Sequence, residues 1–199
     1  MSQKEPCTIY LVRHGETEWN KRGLLQGHTD IELSEDGIRQ AHERIEHFKD
    51  VPFSAAFSSD LARAKQTAAI LTQGRDVPFE TTEILRERSW GDWEGQRFQD
   101  LKARHGATFD VFNQDPHPLA NVETLYQAAH RVSPVLHEFG ERFPGQHILV
   151  VSHGGILKSM LYYMGLKDIS HGSFTNLGYI KLKAQGKSLQ FVEADGLIR

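Results

Sequence analysis

The chain has little of what would assign it to several whole classes of protein. It holds one cysteine in 199 residues, Cys7, so no internal disulfide can form and a packed core must supply the stability. No window approaches about eighteen consecutive apolar residues, which excludes a spanning helix and leaves no membrane among the expected partners. The opening residues MSQKEPCTIY lack the basic-then-apolar pattern of a secretory leader, so the expected location is cytoplasmic. Neither sign of charge dominates: 23 Lys and Arg against 26 Asp and Glu give a formal charge of -3, which argues against nucleic acid as a partner. Low-complexity tracts, linkers rich in Pro, Gly and Ser, and repeats of fixed period are missing as well. Residues 1–199 therefore read as a single domain, and 39% hydrophobic composition suffices for one core. What the chain does have in quantity is histidine, 11 residues, and only their positions can say whether any of them works.

Strand-like and helix-like segments alternate. Thr8 to Val12 (TIYLV) is a short β-branched and aromatic run ending at Arg13-His14-Gly15. Ser34 is placed to cap a helix with Ile38, Ala41, Ile45 and Phe48 on one face. Phe53 to Phe57 predicts a second strand, with Asp60 as cap of a helix carrying Leu61, Ala64, Ala68 and Leu71. The segment 80–121 is less periodic, holds Trp90 and Trp93, and includes a helical stretch around Phe98 to Arg104 stopped at Gly106; it reads as a lid-like excursion from the sheet. A long helix follows from Thr124, with Pro134 expected to kink it or to start a second helix capped by Ser133. His147 to Ser152 (HILVVS) is continuous in apolar residues, as a strand covered on both faces should be. Ile180 to Leu182 and Leu189 to Val192, joined at Gly186, close the chain as strands. The pattern predicts an α/β fold, a three-layer α/β/α sandwich around a mostly parallel sheet.

Three predicted strands end in polar clusters: Arg13-His14-Gly15, Ser58-Ser59-Asp60 leading to Arg63, and Ser152-His153-Gly154-Gly155. In a parallel sheet the carboxyl ends of strands share one edge, so two arginines and two histidines should converge there. Planar guanidiniums grip a phosphate through paired donors, and imidazole offers a nucleophilic nitrogen. Helix starts at Arg63 and Gly154 would add backbone N–H groups to an anion site. Taken singly, each residue reads as easily as ordinary: His14 as a strand-end residue, His153 as a core histidine, Arg63 as a solvated helix residue.

The longer strings carry more. Leu11-Val12-Arg13-His14-Gly15-Glu16-Thr17-Glu18-Trp19-Asn20 resembles the signature of the histidine phosphatase superfamily, the phosphoglycerate mutase-like proteins. Gln26-Gly27-His28-Thr29-Asp30, Leu33-Ser34-Glu35-Asp36-Gly37, the block from Ser58 to Ala68 and Val150 to Gly155 are similar to further family blocks in the family's order. The resemblance implies that His14 is the nucleophile, forming a phosphohistidine, and that Arg13, Arg63 and His153 hold the phosphate, with Asn20, Gln26, Gly27 and Gly154 nearby. It implies neither metal nor other cofactor. Leu85 to Gly95 is similar to the stretch that supplies the family's general acid and nominates Glu87; Glu94 is a rival that the motif assigns to packing. His153 and Glu87 thus join His14 as catalytic candidates.

Two departures stand out. Pro118 to Thr124 (PLANVET) lacks the glycine of the family's segment before the long helix, although Glu123 aligns. Asn176 resembles a family asparagine expected to approach the phosphate through the Leu177 backbone. The function expected is a metal-independent phosphomonoesterase acting on a small phosphoester, with a cofactor-dependent phosphoglycerate mutase as the alternative. The chain is shorter than the mutases, and a homodimer is left open. A phosphate-binding protein without catalysis would lack one of His14, Glu87 and His153. A metallohydrolase would show an H-x-H or H-E-x-x-H pair, which is missing.

Overall fold

β1 (Cys7–Arg13) alternates its side chains between two apolar layers, and this alternation organises the molecule. The computed structural model describes residues 5–105, 121–166 and 173–198. Along the chain follow α1 (Glu18–Lys21), α2 (Glu35–Phe48), β2 (Phe53–Ser59), α3 (Ala62–Leu71), β3 (Phe79–Thr82), α4 (Phe98–His105), α5 (Leu125–Arg142), β4 (His147–Ser152), α6 (Gly154–Tyr163), β5 (Ser173–Gln185) and β6 (Ser188–Ile198), with two short 3-10 turns before α4.

The strands form one six-stranded sheet in the order β3-β2-β4-β1-β5-β6. β3, β2, β4 and β1 run parallel, while β5 and β6 add an antiparallel edge. Cys7, Ile9 and Leu11 of β1 share one buried cluster with Phe57, Ile148 and Val150, covered by Ala128, Val132, Leu136 and Phe139 of α5 and by Ile156, Leu157 and Met160 of α6. Tyr10 and Val12 point the other way and join Ala56, Leu149 and Val151 under Phe48 of α2 and Ala64, Ala68 and Leu71 of α3. The result is the expected three-layer arrangement. Truncating a fully buried residue such as Leu136 to Ala would cost roughly 2–5 kcal/mol. Among the described residues no helix is long and apolar enough to cross a membrane.

Several local expectations are corrected. β3 straddles the start of the segment read as an excursion; it is a four-residue edge strand, mostly exposed, so it carries no apolar period. Pro134 neither ends α5 nor starts a second helix: one helix runs through it, anchored along its length by the apolar stripe on the sheet. Ser34 caps α2 by accepting from the Gly37 N–H, but Ile38 faces solvent, one position outside the buried stripe. Asp60 does not cap α3. Its carboxylate takes two bonds from Arg86, and the Ala62 N–H at the helix start is met instead by Asp30 at 2.7 Å. The last two strands are far longer than their apolar cores, because backbone pairing carries them through polar residues. Gly106 and residues 118–120 of the PLANVET segment lie outside the described residues.

Candidate active site

Register brings the two histidines together. β1 and β4 pair in parallel with Arg13 opposite Ser152, so the residues that follow them, His14 and His153, leave the same sheet edge side by side. The His14 N–H extends the ladder to Ser152 O at 3.0 Å, and the two imidazole rings lie 5.1 Å apart, tilted by 62°. Both rings are buried.

The His14 ring is oriented by its neighbour. Nδ1 lies 2.6 Å from the Gly15 carbonyl oxygen, an acceptor only, so Nδ1 carries the hydrogen and Nε2 keeps its lone pair. Burial, followed by the charges of Arg63 and Arg13, pushes the His14 pKa well below the ordinary histidine value. His153 is depressed in the same way, first by burial and then by Arg63, His14 and Arg13. Both imidazoles are therefore neutral at pH 7, and a neutral Nε2 is the form that can attack.

Arg63, in the first turn of α3, is fully buried. Its Nη1 donates to Thr29 O at 2.9 Å and its Nη2 to Gly27 O at 2.8 Å, which fixes the guanidinium plane. Burial lowers its pKa to about 10, opposed by Glu87, Asp30 and Glu94, so the group stays charged. Arg13 donates from Nη1 to Phe174 O. The Nε atoms of both arginines are buried without a protein partner, donors that an anionic ligand would complete, and the ring nitrogens of His153, one donor and one acceptor in the neutral form, are also buried without one.

A cleft of about 210 Å³ lies over these groups. It is lined by Arg13, His14, Asn20, Gln26, Gly27, Arg63, Glu87 and Gly154, which are the nominated residues except His153. The His153 ring packs against the His14 ring. Gly27 has φ +52 and passes so close to Glu94 that a Cβ would stand 2.0 Å from Oε1, so glycine alone fits. The Asn20 Oδ1 accepts the Thr17 N–H at 3.1 Å, and the Thr17 hydroxyl reaches Gln26 Oε1 at 3.1 Å.

Glu87 and Glu94 separate by environment. Glu87 borders the cleft, where Oε2 accepts the Gly155 N–H at 3.0 Å and Oε1 the Arg88 backbone N–H at 2.8 Å. A side chain at Gly155 would fall 2.2 Å from Oε1, so glycine stands where the carboxylate comes close, while its neighbour Gly154 faces the Arg13 side chain. Neither neighbouring arginine takes Glu87 into a surface ion pair: Arg86 binds Asp60, and the Arg88 guanidinium reaches Glu123 O and lies 4.7 Å from the Trp90 ring. Glu94 points away into the roof, accepting from the backbone of His28, Thr29 and Trp90 and from the Thr29 hydroxyl. That matches its packing assignment. The roof itself is a small cluster of Trp90, Trp93, Leu101 and Val122.

Further residues border the cleft, of which Leu24, Lys158, Ser173 and Phe174 escaped the sequence reading. Leu24, Leu25, Trp90, Gly155, Lys158, Ser173 and Phe174 complete its wall. Lys158 is one turn beyond Gly154 on α6, a spacing the sequence does contain. Phe174 is placed by β5, which no local pattern announces. His28, from the Gln26-Gly27-His28 block, donates from Nε2 to Glu87 O at 2.8 Å at the edge of the site. Glu123 pairs with Arg131 at 2.7 Å and supports the roof. Asn176 reaches His14 O at 3.1 Å, so its contact is with the backbone of His14. Among the described residues no group of three or more His, Cys, Asp or Glu side chains is arranged to hold a metal ion.

A covered, mostly parallel sheet whose strand ends gather two neutral histidines, two guanidiniums and a carboxylate around one cleft defines a class: α/β proteins with an anion site built on histidine and arginine. The chain belongs to the histidine phosphatase superfamily, branch 1, whose model matches residues 9–194. Over 153 residues it is 34% identical to an uncharacterized phosphatase, PhoE, of Bacillus subtilis, covering 77% of this chain and 75% of that one. Over 155 residues it is 34% identical to the adenosylcobalamin/alpha-ribazole phosphatase of Salmonella typhimurium, covering 77% of each. The solved structure of Bacillus stearothermophilus YhfR superposes with a TM-score of 0.84 at 27% identity, over 97% of this chain and 98% of that one.

Proposed function

We propose that this protein is a cytoplasmic, metal-independent phosphomonoesterase that hydrolyses a small phosphorylated metabolite through a phosphohistidine on His14. The observation that carries the reading is the bond from His14 Nδ1 to Gly15 O, which leaves a neutral Nε2 among Arg13, Arg63 and His153. In the first step Nε2 attacks phosphorus, the P–O bond to the leaving group breaks, and Glu87, as the carboxylic acid, gives its proton to the departing oxygen. In the second step Glu87, now the carboxylate, takes a proton from water as the water oxygen bonds phosphorus and the P–N bond breaks. Phosphate leaves and Nε2 is regenerated. Arg13, Arg63 and His153 hold the phosphoryl oxygens, with Asn20, Gln26, Gly27 and the α6 start at Gly154 as further polar contacts. With charge compensation supplied by guanidiniums, the reaction requires no metal and no other cofactor.

Residues 1–199 act as a single domain in this reading, and the described part of the 80–121 segment borders the pocket through Glu87 and Trp90. The test is brief incubation with radiolabelled p-nitrophenyl phosphate followed by an alkaline quench. Alkali-stable, acid-labile label on the wild-type chain and none on His14→Ala is expected, with turnover unaffected by EDTA. Label that survives in His14→Ala overturns the assignment. The alternative, a cofactor-dependent phosphoglycerate mutase, would return the phosphoryl group to a second hydroxyl, so isomerised phosphoglycerate in place of inorganic phosphate decides for it.

A further inference from the structure

β5 does not run straight past the site. Its pairing with β6 slips between Phe174, opposite Leu197, and Tyr179, opposite Asp195. Residues 175–178 thus stand against the single residue Gly196, which makes a wide bulge in the strand. The bulge is packed hard: a Cβ on Gly196 would fall 2.3 Å from Thr175 Oγ1. Within it Leu177 has φ +61, the one positive φ at a non-glycine residue among the described residues. Leucine has no polar side-chain atom to ease that conformation, so the surrounding contacts hold it there. Strain of this kind, imposed beside a functional site, is retained when it places something.

What it places is the backbone of His14 and the amide of Asn20. Asn176 Nδ2 lies 3.1 Å from His14 O and 3.3 Å from Asn20 Oδ1. The second atom is identified as oxygen because it also accepts the Thr17 N–H. Both of its partners being acceptors, Asn176 commits one hydrogen to each. The Leu177 N–H points to the same His14 carbonyl at 3.4 Å, and Phe174 O receives Arg13. With the His14 N–H bonded to Ser152 O, the residue is held at one end by β4 and at the other by the bulge.

We propose that Asn176 is a positioning residue for phosphoryl transfer: through the bulge at residues 175–178 it holds the His14 backbone and orients Asn20 so that Nε2 meets phosphorus in line. This rests on the reading of His14 as the nucleophile. An error of an ångström in such alignment is enough to slow a reaction by as much as about a hundredfold.

Single-turnover labelling of His14 by p-nitrophenyl phosphate, beside the inhibition constant of inorganic phosphate, tests the proposal. Asn176→Ala should form the phosphoenzyme about 30-fold more slowly, with phosphate inhibition changed less than about fivefold. Asn176→Asp keeps the shape but turns oxygen toward both acceptors, so it should be slower than Asn176→Ala; a space-filling role predicts the reverse. Asn176→Ser, which keeps one hydrogen, should fall between wild type and Asn176→Ala, and it stands in as the donor-poor variant if Asn176→Ala does not fold. A labelling rate within twofold of wild type in a folded donor-poor variant overturns the proposal, as does an equal loss of rate and phosphate binding, which would make Asn176 a binding group. Wild-type chain that takes no label on His14 would instead overturn the nucleophile assignment itself.

Discussion

The carboxylate of Glu87 and the backbone N–H of Gly155 meet at 3.0 Å, joining the segment after β3 to the first turn of α6. The bond sets one carboxylate at the mouth of the cleft while Glu94, seven positions on, spends its oxygens on the backbone of the roof. Two glutamates of one short segment are thereby given different work by what surrounds them, and substitution should separate them.

Glu87→Gln removes the proposed proton donor and keeps the shape. Its kcat/KM, which reports the first step, should fall by roughly 10²–10⁴-fold for alkyl phosphates, whose leaving groups need protonation, and far less for p-nitrophenyl phosphate. A leaving-group series of kcat/KM values checks this. Equal losses across the series would remove Glu87 from the role of acid.

Glu94→Gln should act on stability. It turns an NH2 group toward N–H donors that now meet an oxygen, so an unfolding free energy lower by about 1–3 kcal/mol is expected. The dependence of rate on leaving group should stay as in the wild type. Urea unfolding and the same substrate series provide the two measurements.

Arg63 has a structural role beside the phosphate-holding one proposed for it. Arg63→Ala strips donors from Gly27 O and Thr29 O in a buried setting and should lower stability by about 2–4 kcal/mol. Arg63→Lys keeps the charge but loses the planar fork. Both variants should lose at least about 10²-fold in kcat/KM. Recovery of wild-type kinetics in Arg63→Lys would show that charge alone suffices.

Stability should fall as the solution turns acid. The native pKa values of His14 and His153 lie well below the ordinary 6.5, with burial the main cause, so below that value the unfolded chain binds protons that the native chain refuses. Their contribution is intact above about pH 7 and is lost progressively as pH falls through 6.5 toward the depressed native values. The slope is at most about 1.4 kcal/mol per pH unit for each histidine. Urea unfolding of wild type and of the His14→Asn/His153→Asn double variant between pH 7.5 and 5 checks it. His47, His137 and His147 are shifted in the same direction and remain in both proteins. Equal losses in the two proteins would contradict the linkage.

Much of the frame is legible where local pattern and tertiary environment coincide. HILVVS is apolar throughout because β4 is covered on both faces, and its observed bounds, His147–Ser152, are those of the run. β3 was illegible: FETT is short, lies at an edge and buries little, so no alternation marks it. The cap of α3 misled for a different reason. Asp60 stands in a cap-like place in the sequence, but Arg86 claims its carboxylate, and Asp30 arrives from a loop 32 residues earlier to meet Ala62. Of the two readings of Pro134, the start of a second helix fails because α5 runs through it, packed on the sheet.

By itself the sequence determined which strands would be central, that their carboxyl ends would be polar, and that Arg13, His14, Arg63 and His153 would gather at one edge. Those outcomes follow from apolar runs and from parallel pairing, which act over a few residues. Only the tertiary structure decided the tautomer of His14, the neutrality of both histidines, the different hydrogen-bond partners of Glu87 and Glu94, and the reach of Asn176 to a carbonyl 162 positions away. Each of these depends on the burial, charge and register of segments remote in the chain, and spacing along one segment carries no record of what another segment brings against it.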